Sequence, residues 1–169
     1  NAPLYNDSIV AQIVKRFQKQ NAIVIYVPDH GEECYEENRG FICRNHSADI
    51  DWPLAHYEFE IPFWIYCSPK YIKTHRDIYR QIRKAKDKRY MTDALPHLLL
   101  YLAGIETPTY KEEYNILSPK YDEMRPRILK NSADYDKLRD THNAKIAKEK
   151  EAEEAKEKAQ KKTKKKKKQ

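Results

Sequence analysis

Cysteine is scarce: Cys34, Cys43 and Cys67 in 169 residues, with no Cys-x-x-Cys spacing, exclude a disulfide-stapled scaffold. Two alternatives stay open, a Cys34–Cys43 bridge closing a short loop in an oxidising compartment, or free thiols. No apolar run approaches the ~18 residues of a membrane-spanning helix. No secretory signal precedes the first helical pattern either. Since the chain opens abruptly at Asn1-Ala2-Pro3, it reads as a trimmed start, and missing targeting signals carry little weight. Glycine is also rare, with three residues, and two of them fall at positions with a role, Gly31 after Asp29-His30 and Gly104 at a helix end.

Charge is abundant but unevenly placed. From Thr141 to Gln169 the chain holds 12 Lys and 5 Glu; removing these from totals of 33 basic and 26 acidic residues leaves 21 of each. The body is therefore neutral, which argues against a nucleic-acid surface spread over the fold. All the excess basicity belongs to the tail. Its Ala, Glu and Lys at helical spacing support a solvated helix, and Lys161 to Gln169 is expected to be disordered for want of an apolar face. It reads either as a tether to nucleic acid or anionic lipid or as a solubilising extension. The expected division is residues 1–136 as a domain and 137–169 as a Lys/Glu/Ala-rich tail, partly helical or disordered.

Within the body, Asn6 or Asp7 caps a predicted helix through Gln20, with Ile9, Val10, Ile13, Val14 and Phe17 on one face. A strand follows at Ala22–Val27, apolar on both faces. Residues 31–57 show no clear period and predict a long loop, the kind that usually carries function. A second strand is expected at Phe59–Cys67, with Pro62 marking an edge or bulge, and a basic surface helix over 71–86. Thr92 or Asp93 then caps a helix with Pro96 in its first turn, a stripe of Leu95, Leu98, Leu99 and Leu102, and a stop at Gly104. The stretch 107–136 is irregular apart from a short strand at 127–129. Helix, strand, loop, strand, helix is the pattern of an α/β layer fold. Two or three strands make a poor sheet, so the chain reads as the C-terminal part of a larger domain.

The first strand ends in Pro28-Asp29-His30-Gly31. In open α/β sheets ligands sit at the carboxyl ends of strands. A carboxylate and an imidazole there suit zinc, while Gly31 would let the backbone turn sharply. The plainer alternative is an Asp-centred turn beside a surface histidine.

YVPDHGEE resembles the strand-then-DHGE segment of the sulfatase and alkaline-phosphatase superfamily, in particular the lipopolysaccharide phosphoethanolamine transferases. NDSIVAQIVKRF is similar to the helix before the metal strand, RNHSADIDWPLAHYEFEIPFWIYCSPKY to the loop and strand after it, and YMTDALPHLLLYLAGIET to a late helix. NILSPKYDEMRPRIL resembles the closing segment of such enzymes from Bacteroides-like bacteria. The likeness runs from Tyr5 to Tyr135.

It implies a partial alkaline-phosphatase-like three-layer αβα sandwich and a cofactor of one or two zinc ions. Asp29 and His30 match the motif's metal ligands. His46 matches a histidine that contacts the substrate phosphate or a second zinc, and His56 is the alternative. Glu32 and Glu33 are expected to be solvated or outside the metal's direct ligands. The implied chemistry takes phosphoethanolamine from a phospholipid donor to lipid A or core lipopolysaccharide through a threonine nucleophile. No threonine here matches that position, so no catalytic residue is expected in this chain and the chain alone is expected to be inactive. The implied location is the inner membrane, with the catalytic domain facing the periplasm and no nucleic acid as partner. Competing readings are a sulfatase or phosphodiesterase of the same superfamily, and a non-catalytic module with a basic docking tail.

Overall fold

The computed structural model describes residues 2–43 and 49–166, apart from some side chains in 41–42 and 157–166. In chain order the elements are α1 (Ala2–Phe17), β1 (Ile23–Tyr26), β2 (Glu33–Cys34), β3 (Phe41–Cys43) and α2 (Trp52–Phe59). These are followed by β4 (Trp64–Cys67), α3 (Pro69–Thr74), α4 (Arg76–Ala85) and α5 (Leu95–Ala103). Last come β5 (Ile128–Leu129), β6 (Ala133–Asp134) and α6 (Tyr135–Lys166). The described strands form three antiparallel pairs, β1 with β4, β2 with β3 and β5 with β6. Two compact units result, one of residues 1–29 and 61–125, the other of 30–60 and 126–169.

In the first unit β1 and β4 pair from Ile23 opposite Cys67 to Tyr26 opposite Trp64. The last pair stacks its rings, with centroids 5.2 Å apart, as directly opposed aromatics on one sheet face do. Where β4 ends, the buried Ser68 joins three segments. Its Oγ accepts from Tyr71 N as the cap of α3 and donates to Gln20 O at 2.6 Å, while its own N–H donates to Ala22 O. The core of this unit is Leu98, Ala85, Ile116 and Leu117, with Phe63, Ile65, Ile78 and Ile82 packed around it. Gly104 ends α5 in the left-handed region at φ 66°, as the sequence predicts.

Several expectations change here. β1 is half-buried along its length rather than buried on both faces, being one strand of a pair. Helix α1 starts at Ala2, ahead of the expected cap, and buries no residue; Ile9 and Ile13 of its apolar face are 37% and 42% exposed. On α5 the buried residue is Leu98, whereas Leu99 is 45% exposed. The basic stretch is two helices broken at His75, whose φ and ψ are non-helical.

In the second unit the expected loop 31–57 is largely ordered, and the expected strand over 59–67 is divided. Its first residue closes α2 and only Trp64–Cys67 forms a strand, because Asp51 caps a helix before Pro53, and Pro62 then follows. Asp51 Oδ1 accepts from Leu54 N at 3.0 Å. Ala55, Leu129 and Tyr135 form the core of this unit, with Ile50, Trp52, Phe59 and Leu138 against it. Helix α6 begins at Tyr135, so the expected boundary after Asp136 falls inside it. It remains helical to Lys166, past Lys161 where disorder is expected. Ala, Glu and Lys are strong helix formers, and i,i+4 pairs such as Lys145–Glu149 and Lys158–Glu154 add to that.

Candidate functional site

Strand β1 runs through Val27 and Pro28 into Asp29 and His30, and the two compact units adjoin in the chain at this Asp29–His30 step. Asp29 is exposed and His30 half-buried. His30 Nδ1 lies 2.8 Å from Gly31 O. A carbonyl only accepts, so Nδ1 is the donor in this contact. A metal-binding histidine is commonly set this way by the bond at its other nitrogen.

Gly31 is required by closeness rather than by a turn. It does not adopt the left-handed region, so the bend of the chain here does not depend on a positive φ at Gly31. Its N–H donates to Glu58 O at 2.8 Å, and a Cβ at this position would sit 2.1 Å from Tyr57 O. The motif's third residue thus seats the chain directly on the backbone of α2.

Helix α2 is braced in turn. Arg39, at the end of the short turn after β2, forms an ion pair with the capping residue Asp51 and a second with Glu33, Nε to Oε1 2.7 Å. The latter contact is close without hydrogen-bond alignment. Glu33 is fully buried, which removes the solvated alternative of its expected role and leaves the other open. Burial pushes its carboxyl up, while the Arg39 guanidinium opposes that. For Asp51 burial also acts upward, yet the bonds from Arg39 and Leu54 prevail and the pKa is lowered. Glu32 is exposed, as expected. Sequence reasoning missed the Glu33–Arg39–Asp51 brace, although Asp51-Trp52-Pro53 is a recognisable helix start.

His56 lies within α2. Its Nδ1 is 3.0 Å from Glu60 Oε2, and its ring stacks on Trp52 at 5.6 Å. Trp52 stacks on His142 of α6 as well, at 5.3 Å. Tyr135 donates its hydroxyl to Glu60 Oε1, and the Arg127 guanidinium covers the Tyr135 ring at 4.3 Å. His56 thereby sits in the packing between α2 and α6. His46 lies outside the described residues. Among the described residues no group of three or more His, Cys, Asp or Glu is placed to hold a metal ion. The three cysteines are free thiols. Among the described residues no helix is long and apolar enough to cross a membrane.

No protein-family model matches the chain. Its mixed α/β fold, with a strand delivering Asp-His-Gly, is homologous to the C-terminal periplasmic domain of phosphoethanolamine transferases. The relatives concerned are phosphoethanolamine transferase EptC of Escherichia coli K12 and its counterpart in strain RS218, each 32% identical over 146 residues. These matches take in 82% of this chain and 24% of the relative, so the chain spans about a quarter of the length of the curated relatives it matches. The crystal structure of the C-terminal periplasmic domain of the E. coli enzyme superposes with a TM-score of 0.63 at 30% identity, covering 80% of this chain and 38% of that one. The same domain in complex with zinc matches equally well. The fold expected from the sequence, part of an alkaline-phosphatase-like α/β domain, is thereby met.

Proposed function

We propose that this chain is the C-terminal segment of a zinc-dependent phosphoethanolamine transferase. The intact enzyme would take phosphoethanolamine from a phospholipid donor and pass it to lipid A or core lipopolysaccharide, through a threonine that lies outside this chain. The carrying observation is the exit of β1 into Asp29 and His30, with His30 Nδ1 committed to Gly31 O and Gly31 fixed on α2. A carboxylate and an imidazole are suitable zinc donors, at bonds of about 2.0–2.2 Å. That a homologous domain is solved with zinc supports zinc as the metal.

Zinc, where bound, lowers the pKa of an attacking hydroxyl and neutralises phosphate oxygens. What this segment contributes is half of the ligands and their orientation. The Gly31 carbonyl fixes the His30 ring, α2 fixes Gly31, and the Arg39 brace fixes the start of α2. His46, with His56 as its alternative, would contact the substrate phosphate or a second zinc. By itself the segment is inactive, and the intact enzyme lies in the inner membrane facing the periplasm.

The test is a chimera in which this chain replaces the homologous segment of E. coli EptC, read by mass spectrometry of lipopolysaccharide. Asp29→Ala and His30→Ala should each lower transfer at least about 100-fold, beyond the loss typical of residues that only orient a ligand. Full activity in both variants would overturn the assignment. Isothermal titration of the chain alone should give zinc affinity weaker than about micromolar, since two ligands do not enclose a tetrahedral ion. Submicromolar affinity would contradict the half-site.

A further inference from the structure

Helix α6 divides into three parts by packing and charge. Its first turns belong to the second unit, where Leu138 packs on the core and His142 stacks on Trp52. Ile146 is the last half-buried residue; 147–156 and Lys158 are exposed. At 1.5 Å per residue, the helix from Ala147 to Lys166 is roughly 30 Å long.

The middle stretch is electrically neutral. Between Thr141 and Gln160 there are five Lys and five Glu, and the pairs Lys145–Glu149 and Lys158–Glu154 lie at 3.9 and 3.3 Å. After Ile146 no apolar residue larger than alanine occurs, so this stretch offers no seam to a coiled-coil partner. Beyond it the sequence changes abruptly: seven of the nine residues from Lys161 to Gln169 are lysine, and none is acidic. The acidic residues of the arm are already matched by its own lysines, so they do not offset the tip.

We propose that α6 is a neutral arm and that the lysine-rich sequence 161–169 it leads into docks on an anionic phospholipid surface. The neutral arm supplies reach without attraction, and the tip supplies a concentrated positive charge of the size that binds acidic headgroups. The body's net neutrality adds no excess positive charge for nucleic acid beyond that of the lysine block itself. The choice of lipid rests on the proposed role in a lipid-modifying enzyme, whereas the docking itself needs neither metal nor turnover.

The experiment is cosedimentation of the full chain with phosphatidylcholine vesicles, plain or with roughly a third phosphatidylglycerol. Binding is expected only to the anionic vesicles. It should weaken as salt rises from ~0.1 M to 1 M, where the screening length falls from about 10 to 3 Å. Replacing the seven tip lysines by glutamine, which keeps the length of the chain, should weaken it at least tenfold. Equal binding by that variant, equal binding to plain vesicles, or tighter binding to a DNA duplex at the same salt would each overturn the proposal. Failure of the transferase chimera with vesicle binding intact would separate the two readings.

Discussion

Gly31 and Tyr57 approach so closely that a single methyl group on the glycine would lie 2.1 Å from the tyrosine's carbonyl oxygen. The neighbour is backbone inside α2, which has no rotamer to yield. Gly31→Ala should therefore force the strand exit and the helix apart, costing about 3 kcal/mol, the upper end of overpacking penalties. Urea unfolding of the chain measures it. A loss below about 0.5 kcal/mol would show that the approach is looser than described.

On α5, adjacent leucines differ in consequence. Leu98 is wholly buried among Ala85, Ile116 and Leu117, and Leu99 is 45% exposed. Leu98→Ala should cost about 3 kcal/mol from lost burial and the cavity left behind. Leu99→Ala should stay within about 0.5 kcal/mol, as surface changes do. The two melting temperatures, compared side by side, decide whether the helix faces its core as described.

The same pair shows what the sequence discloses. Spacing along α5 revealed a helix, its proline-bearing start and its stop at Gly104, since these depend on neighbours in the chain. The exposure of Leu99 depends on where the unit's other elements lie, and periodicity does not reach that far. The run FEIPFWIYC is apolar on both faces, a pattern that fits a buried strand and a helix end alike. Only the Asp51 cap, eight residues ahead of the run, and Pro62 within it separate the two. The strand that leads into Asp29 and His30 was legible because its apolar run is contiguous in the chain. Glu33 was not: its burial depends on Arg39, six residues on and brought back by the β2–β3 turn with Gly40 at φ 83°.

Tyr135 offers a pH-dependent test of the contact between α2 and α6. Burial first, then its hydrogen bond to Glu60, raise the phenol to about 12, against the opposing pull of Arg127 and Arg139. In the unfolded chain the phenol titrates near 10. The folded state thus holds its proton more tightly than the unfolded state. Stability from this group is fully present below about pH 10 and is lost as pH rises toward 12. Tyr135→Phe should lower stability at neutral pH, by losing the bond to Glu60, and should also flatten the alkaline slope. Urea midpoints taken from pH 8 to 11.5 for both proteins measure this, with the ratio of slopes as the readout. An unchanged slope in the variant would mean that the remaining tyrosines, and not this buried one, govern alkaline unfolding.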